Sequence, residues 1–185
     1  MLLYIVRHGD PDYKNDCLTE LGHKQAKAVA ERLKNSGIEQ IFSSSKGRAL
    51  QTAAHTADLL GLHVNSCDFI REISWGSLDE NPILANGHPW KIAPIHVSEG
   101  KSLLDRNWRA SAPYCRSQLI GCVETVTQGL DIWLEELGYK REGEYYRVIG
   151  KDTEKTIAMF SHGGASSAAL SVTELGSATS LHHFL

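Results

Sequence analysis

The chain has 185 residues, of which 42% are apolar and 22% charged, a composition typical of one globular domain with a sizeable core. Its net charge of −3 gives no general attraction for nucleic acid or an anionic membrane, so a bound anion needs a local cluster of positive groups. No apolar run suits a signal peptide or a membrane span, and the four cysteines lack zinc-ligand spacing, which favours a cytoplasmic protein with reduced thiols.

Strands and helices alternate over the first 70 residues. The apolar run at 2–6 predicts a strand buried on both faces of a parallel sheet. Apolar residues at helical spacing then predict a helix that Thr19 caps. A second strand at 40–43, a helix that ends at Gly61, and a more dilute third strand at 63–69 follow.

The rest of the chain begins with an irregular stretch. Prolines and glycines interrupt residues 71–113, which predicts an excursion with short helices of the kind that often covers a site. The apolar positions of 119–137 follow the helical period and predict a long amphipathic helix. Apolar runs at 145–149 and 157–160 predict two strands joined by a loop, and helical residues resume after the second strand.

This alternation predicts an α/β fold, a three-layer α/β/α sandwich with a mostly parallel central sheet. We expect a single domain over residues 1–185, with a cap-like helical excursion at about 71–113. No sequence feature indicates an oligomeric state.

Polar or cationic residues follow three of the predicted strands. Arg7 and His8 follow the first, Arg48 follows the second, and His162 follows the late one. Because ligand crevices of open α/β sheets lie at the carboxyl ends of strands, we expect these side chains to converge. Backbone N–H groups of nearby glycines such as Gly163 add donors. The set suits a phosphoryl group, since the planar arginine fork binds its oxygens and stays charged.

Histidine also suits nucleophilic attack on phosphorus. A neutral imidazole presents a basic lone pair, so we expect His8 to form a phosphohistidine intermediate that water then hydrolyses. One carboxyl group must first protonate the leaving alkoxide and then activate the water. The pattern leaves Glu72, Asp79 and Glu80 as candidates. Apolar neighbours favour a proton donor, and Glu72 has an isoleucine and a tryptophan within three residues.

Other polar residues have simpler explanations. The acidic loop after Gly9 fails as an EF-hand, because Lys14 stands at a ligand position and the loop glycine is missing. His23 and His55 are expected to be solvated. No metal site is predicted from a further group of histidines without ligand partners at a familiar spacing: His88, His96, His182 and His183. We therefore expect neither a metal nor an organic cofactor.

Four ordered blocks of the sequence resemble the histidine phosphatase superfamily, the phosphoglycerate mutase-like group. They are VRHG at 6–9, LTELG at 18–22, SSS followed by RALQTA within 43–53, and SHGG at 161–164. A fifth stretch, REISWG at 71–76, looks like the family's glutamate block, which ends in an aromatic residue and glycine. The likeness is closest over residues 1–60 and 155–170.

The resemblance implies a role for individual residues. His8 would be the phosphorylated nucleophile and Glu72 the proton donor. The phosphoryl oxygens would be bound by Arg7, Arg48 and His162, with Gly163 beside them. Asn15 matches, in a slightly different register, an asparagine that often contacts phosphate in the family.

Three functions are compatible with these residues. A phosphomonoesterase acting on a small phosphate ester is favoured, because residues 81–84 are uncharged where the family's mutases carry basic residues. A phosphoglycerate mutase-type enzyme would pass the phosphoryl group of His8 back to another hydroxyl group. A non-catalytic phosphate-binding module would keep the pocket without turnover, and the complete set of arginine, histidine and glutamate residues argues against it. The natural substrate is open.

Overall fold

The computed structural model describes residues 1–105, 107–151 and 154–174, with the side chains of 172–174 excepted. The described residues form two compact units, Met1–Arg71 with Gly150–Ser166, and Glu72–Ile149 with the described residues from Ser167 on. The predicted α/β class with a parallel central sheet is confirmed. The single-domain organisation stays a prediction.

The strands and helices follow one another in a mixed order. They are β1 (Leu2–Arg7), β2 (Pro11–Asp12), β3 (Cys17–Leu18), α1 (Glu20–Leu33), β4 (Gln40–Ser44), α2 (Gly47–Leu60), β5 (Val64–Cys67), α3 (Pro89–Ser98), α4 (Leu119–Glu136), β6 (Tyr139–Glu142), β7 (Tyr145–Val148), β8 (Thr156–Ser161) and α5 (Gly163–Glu174). Short 3₁₀ turns lie at Asp68–Ile70, Leu84–Gly87, Trp108–Ala110 and Tyr114–Arg116.

Four strands of the first unit form a parallel sheet in the order β1, β8, β4, β5. On one face, Ile41, Ala158 and Phe160 pack into a core with residues of α1 and α2. On the opposite face, Ile157 and Met159 are equally buried. Burial on both faces explains why these strands are continuous apolar runs in the sequence.

Local signals set the ends of the two helices in this unit. The Thr19 hydroxyl accepts the Gly22 N–H at 3.1 Å and so caps α1. Gly61 ends α2 in the left-handed conformation, φ +66°, which glycine adopts without steric cost. The third strand is shorter than predicted, because the chain turns into a 3₁₀ helix at Asp68.

The second unit contains α3, α4 and a hairpin. Pro89 occupies the first turn of α3, where its missing N–H costs nothing. The strand predicted at 145–149 pairs with β6 in an antiparallel hairpin and not with β8. The polar residues of β6 carry no apolar alternation, which is why the sequence pattern missed this strand. None of the helices in the described ranges has the length and apolar character needed to cross a membrane.

Candidate active site

His8 follows directly after β1 and is buried, 7% exposed. Its backbone N–H donates to the carbonyl of Ser161 on β8. Its ring Nδ1 lies 2.7 Å from the carbonyl oxygen of Gly9, and because a carbonyl only accepts, we assign the ring proton to Nδ1. Nε2 is buried and has no hydrogen-bond partner in the described part of the chain. His8 thus keeps a lone pair unused.

The charge state of His8 also favours attack. Burial lowers the pKa of the imidazole below its ordinary value, and the positive charges of Arg48 and Arg7 act in the same direction. The bond to Gly9 and the carboxylate of Asp16 oppose this shift without reversing it. The ring is therefore neutral at physiological pH, the form in which Nε2 is a nucleophile.

The turn after His8 is fixed by close backbone packing. A Cβ atom on Gly9 would come within 2.7 Å of the Gly22 carbonyl oxygen, so this contact requires glycine. The Gly9 N–H donates to Thr52 Oγ1 at 3.1 Å, and the Thr52 hydroxyl donates to the Arg48 carbonyl at 2.7 Å. Thr52 thereby joins the turn after His8 to the first turn of α2.

Arg48 lies in that first turn and is also buried, 7% exposed. Its Nη1 donates to Asp16 Oδ1 at 2.5 Å, and its guanidinium lies 5.4 Å from the ring centre of Tyr13. Its Nε is buried, and no acceptor for it lies among the residues that the structure describes. Asp16 therefore holds the guanidinium at Nη1, while the Nε–H donor stays available.

His162 follows directly after β8, and its side chain is fully buried. Ser44 Oγ lies 2.8 Å from Nε2 and accepts the Lys46 N–H at 3.2 Å. The Ser44 hydroxyl proton is then free to point at Nε2, so we assign the imidazole proton to Nδ1. Burial lowers the pKa of His162 to about 3, with the charge of Arg48 acting in the same direction, so the ring is neutral.

These side chains form one cluster at the carboxyl ends of β1 and β8 and the start of α2. The rings of His8 and His162 lie 5.1 Å apart between centroids. Three of the cluster's buried nitrogens have no partner in the described ranges: His8 Nε2, Arg48 Nε and His162 Nδ1. Buried polar atoms are nearly always paired, so three such atoms together mark a place for a ligand. His8 Nε2 offers a lone pair, whereas Arg48 Nε and His162 Nδ1 offer N–H groups. This combination suits an electrophile that carries anionic oxygens.

The structure brings together most of the predicted phosphate-binding residues. Arg7 is exposed at the end of β1, near enough to lower the pKa of His8. Gly163 begins α5 directly after His162. Asn15 is not brought in: it is exposed, and its amide donates to Asp12 Oδ2 at 2.7 Å within its own loop.

The three candidate proton donors belong to the second unit. The half-buried Glu72 accepts the Ile73 N–H through Oε1. Asp79 is exposed, and hydrogen bonds from Ser77 and Arg116 hold the pKa of its carboxyl well below the usual range. An acid held ionised is a poor proton donor. Glu80 is exposed.

The remaining histidines that the structure describes lie outside the cluster around His8. His23 and His55 are not simply solvated, because each is half-buried and Nδ1 of the first lies 3.0 Å from Nε2 of the second. In the residues described, no three or more metal-ligating side chains come together. His182 and His183 lie outside the described residues.

Sequence reasoning missed three residues of the cluster. Asp16 was considered only as part of a cation loop, yet it binds Arg48. Ser44 and Thr52 had no assigned role, yet they contact His162 and Gly9. A signal existed for Thr52, which stands four residues after Arg48 and hence on the same helix face.

The fold and the cluster define an α/β protein with two buried histidines and a buried arginine at the carboxyl edge of a parallel sheet, a candidate anion site. The sequence profile of the histidine phosphatase superfamily (branch 1) matches residues 3–103. The chain belongs to this superfamily.

Named relatives include both mutases and phosphatases. The "Probable phosphoglycerate mutase GpmB" of Yersinia pestis (strain Pestoides F) is 34% identical over 110 residues, 53% of this chain and 51% of that protein. The chain therefore spans about half the length of the curated relatives it matches.

Solved structures cover more of the chain. A mycobacterial glucosyl-3-phosphoglycerate phosphatase, in complex with inorganic phosphate, is 26% identical with a TM-score of 0.59, covering 92% of this chain and 77% of that chain. Phosphoserine phosphatase of Entamoeba histolytica, 19% identical, has a TM-score of 0.60 and covers 99% and 84%. The second likeness concerns the fold alone.

Proposed function

We propose that the protein is a phosphomonoesterase that hydrolyses small phosphate esters through a phosphohistidine intermediate on His8. The observation that carries the proposal is the set of three unpartnered buried nitrogens on His8, Arg48 and His162. The mycobacterial glucosyl-3-phosphoglycerate phosphatase, which is 26% identical to this chain, supports the same reaction class.

In the first step, the Nε2 lone pair of His8 attacks phosphorus in line with the leaving oxygen. An N–P bond forms as the ester P–O bond breaks. Arg48 Nε–H and His162 Nδ1–H donate to the non-bridging oxygens, whose charge is redistributed in the transition state. In the second step, water attacks phosphorus, the N–P bond breaks and phosphate leaves.

The leaving alkoxide takes a proton, and the attacking water must lose one. We assign both transfers to Glu72, on its sequence block and because Asp79 is held ionised by Arg116. No metal or organic cofactor takes part in the proposed reaction, which uses only side chains of this protein.

The test is hydrolysis of p-nitrophenyl phosphate by the purified protein in excess EDTA. We expect phosphate release, and a loss of about 10³-fold or more in kcat for His8→Ala, because the nucleophile is removed. His63→Ala is the matched control, since His63 is an exposed histidine of the same unit. Wild-type protein that releases no more phosphate than His8→Ala would overturn the proposal.

A second candidate function is the mutase, favoured by the name of the 34% identical relative. A mutase returns the phosphoryl group of His8 to a hydroxyl group of a sugar acid and must exclude water. Incubation with 3-phosphoglycerate and a bisphosphoglycerate primer separates the two reactions. We expect net phosphate release; interconversion of phosphoglycerates without release would establish the mutase instead. A panel of phosphomonoesters, including glucosyl-3-phosphoglycerate, would then identify the preferred ester.

A further inference from the structure

Asp16 is joined to α2 by both oxygens of its carboxylate. Oδ1 accepts from Arg48 Nη1, and Oδ2 accepts the Gly47 N–H at 2.9 Å. Its backbone is equally close, because a Cβ atom on Gly47 would lie 2.1 Å from the Asp16 carbonyl oxygen. Only glycine at position 47 allows this approach, so the loop carrying Asp16 is seated on the first turn of α2.

The backbone of Asp16 is itself unusual. Its φ of +49° lies in the left-handed region, which aspartate and asparagine tolerate better than most other residues. This conformation accompanies the placement of the carboxylate against the helix start, where the free N–H groups and the helix dipole favour a negative group. The carboxylate is thus anchored independently of any ligand.

The position of Asp16 determines which N–H donor of Arg48 is left for a ligand. Asp16 engages Nη1, whereas Nε is buried without an acceptor in the described ranges. An arginine presents its donors in a rigid planar fork, so fixing one corner fixes the direction of the others. Without Asp16, the guanidinium loses the hydrogen bond that fixes this corner of the fork.

We propose that Asp16 is a positioning residue, which holds the Arg48 guanidinium so that its Nε edge stays directed at the phosphoryl group during transfer. The inference rests on the proposed function and assigns to it a residue that does not touch the substrate. It also explains a carboxylate beside an anion site: Asp16 would repel a phosphate ester, and this unfavourable effect is tolerated because orientation of Arg48 matters more to the transition state than to ground-state binding.

The test is Asp16→Asn, because asparagine tolerates the left-handed backbone and still accepts the Gly47 N–H. We expect kcat for p-nitrophenyl phosphate to fall about 10–100-fold, while KM and inhibition by inorganic phosphate change less than about 3-fold. Inhibition by vanadate, which mimics the five-coordinate transition state, should weaken with kcat. Asp58→Asn is the control, an exposed aspartate farther along α2.

A double-mutant cycle separates positioning from a structural role. In the Arg48→Ala background, Asp16→Asn should cause no further loss of kcat, because the group through which it acts is gone. Equal losses in both backgrounds, or tighter phosphate binding with faster turnover in Asp16→Asn, would overturn the inference. The proposed function fails separately, if wild type and His8→Ala do not differ.

Discussion

Comparing one arginine–aspartate pair from each unit shows that the residue types alone do not reveal a functional role. Arg48 and Asp16 have side chains 8% and 36% exposed, whereas those of Arg116 and Asp79 are 47% and 50% exposed. Arg116 Nη2 donates to both oxygens of Asp79, at 2.8 and 2.7 Å, in contact with water. Pairs of this kind contribute little to stability, because solvent screens them.

The buried pair of Arg48 and Asp16 differs because it leaves one N–H donor without an acceptor in the described residues. Arg48 has been taken out of water, yet its Nε has no acceptor in the part of the chain that the structure describes. An unsatisfied buried donor costs free energy, so its retention beside two histidines is explained by a ligand that supplies the acceptor. Burial together with an unused donor distinguishes the candidate site from a surface ion pair.

The largest expected difference between the two pairs is the effect of removing each arginine on catalytic activity. Arg48→Ala should lower kcat/KM for p-nitrophenyl phosphate by about 10²–10³-fold, because it removes a preorganised donor to the transferring group. Arg116→Ala, measured in the same assay, should stay within about twofold of wild type. Equal losses in the two variants would remove the distinction between the pairs.

A second prediction concerns burial of His162. Its pKa is about 3 when folded and near 6.5 when unfolded, so the unfolded chain binds the extra proton as pH falls below 6.5. Stability from the neutral ring is complete above that pH and is lost towards pH 3, about 2 kcal/mol of it by pH 5. Urea unfolding at pH 7 and pH 5 measures this loss.

In the variant His162→Gln, the unfolding free energy should fall less between pH 7 and pH 5, because the contribution of about 2 kcal/mol from His162 is absent. His8, whose pKa is also lowered, still contributes in the same direction. The exposed His63→Gln serves as control and should keep the wild-type difference. An unchanged difference in His162→Gln would show that burial of this ring does not govern the acid sensitivity.

The smallest effect comes from two threonines that make the same helical contact. Thr52 and Thr125 each donate a hydroxyl to the carbonyl four residues back, but only the buried Thr52 also accepts an N–H, that of Gly9. Thr52→Val should cost about 1–2 kcal/mol of unfolding free energy, since the Gly9 N–H loses its acceptor. Thr125→Val should change it by less than about 0.5 kcal/mol. Similar values in denaturant unfolding would contradict the comparison.

Much of the fold was predictable because its signals are local. The apolar runs of β1 and β8 mark strands buried on both faces, and Thr19 and Gly61 mark the ends of helices. The β6–β7 hairpin was not predictable in full, because β6 is polar and its pairing with β7 leaves no mark in the sequence.

The candidate site divides in the same way. Residues that follow strand ends, such as His8 and His162, were predictable from the topology that an α/β pattern implies. The groups that orient them were not, because their contacts join distant parts of the chain. Asp16 meets Arg48 across 32 residues and Ser44 meets His162 across 118, separations at which no periodicity operates.

The strand order has a consequence for synthesis of the protein. Because β8 lies between β1 and β4, the first 71 residues cannot complete their own sheet: the central position stays vacant until residue 161 has been made. Such long-range pairing is slow to form, since a large loop must close first. The cluster of His8 and His162 therefore forms only when the late strand is inserted, so phosphatase activity would report that the sheet is complete.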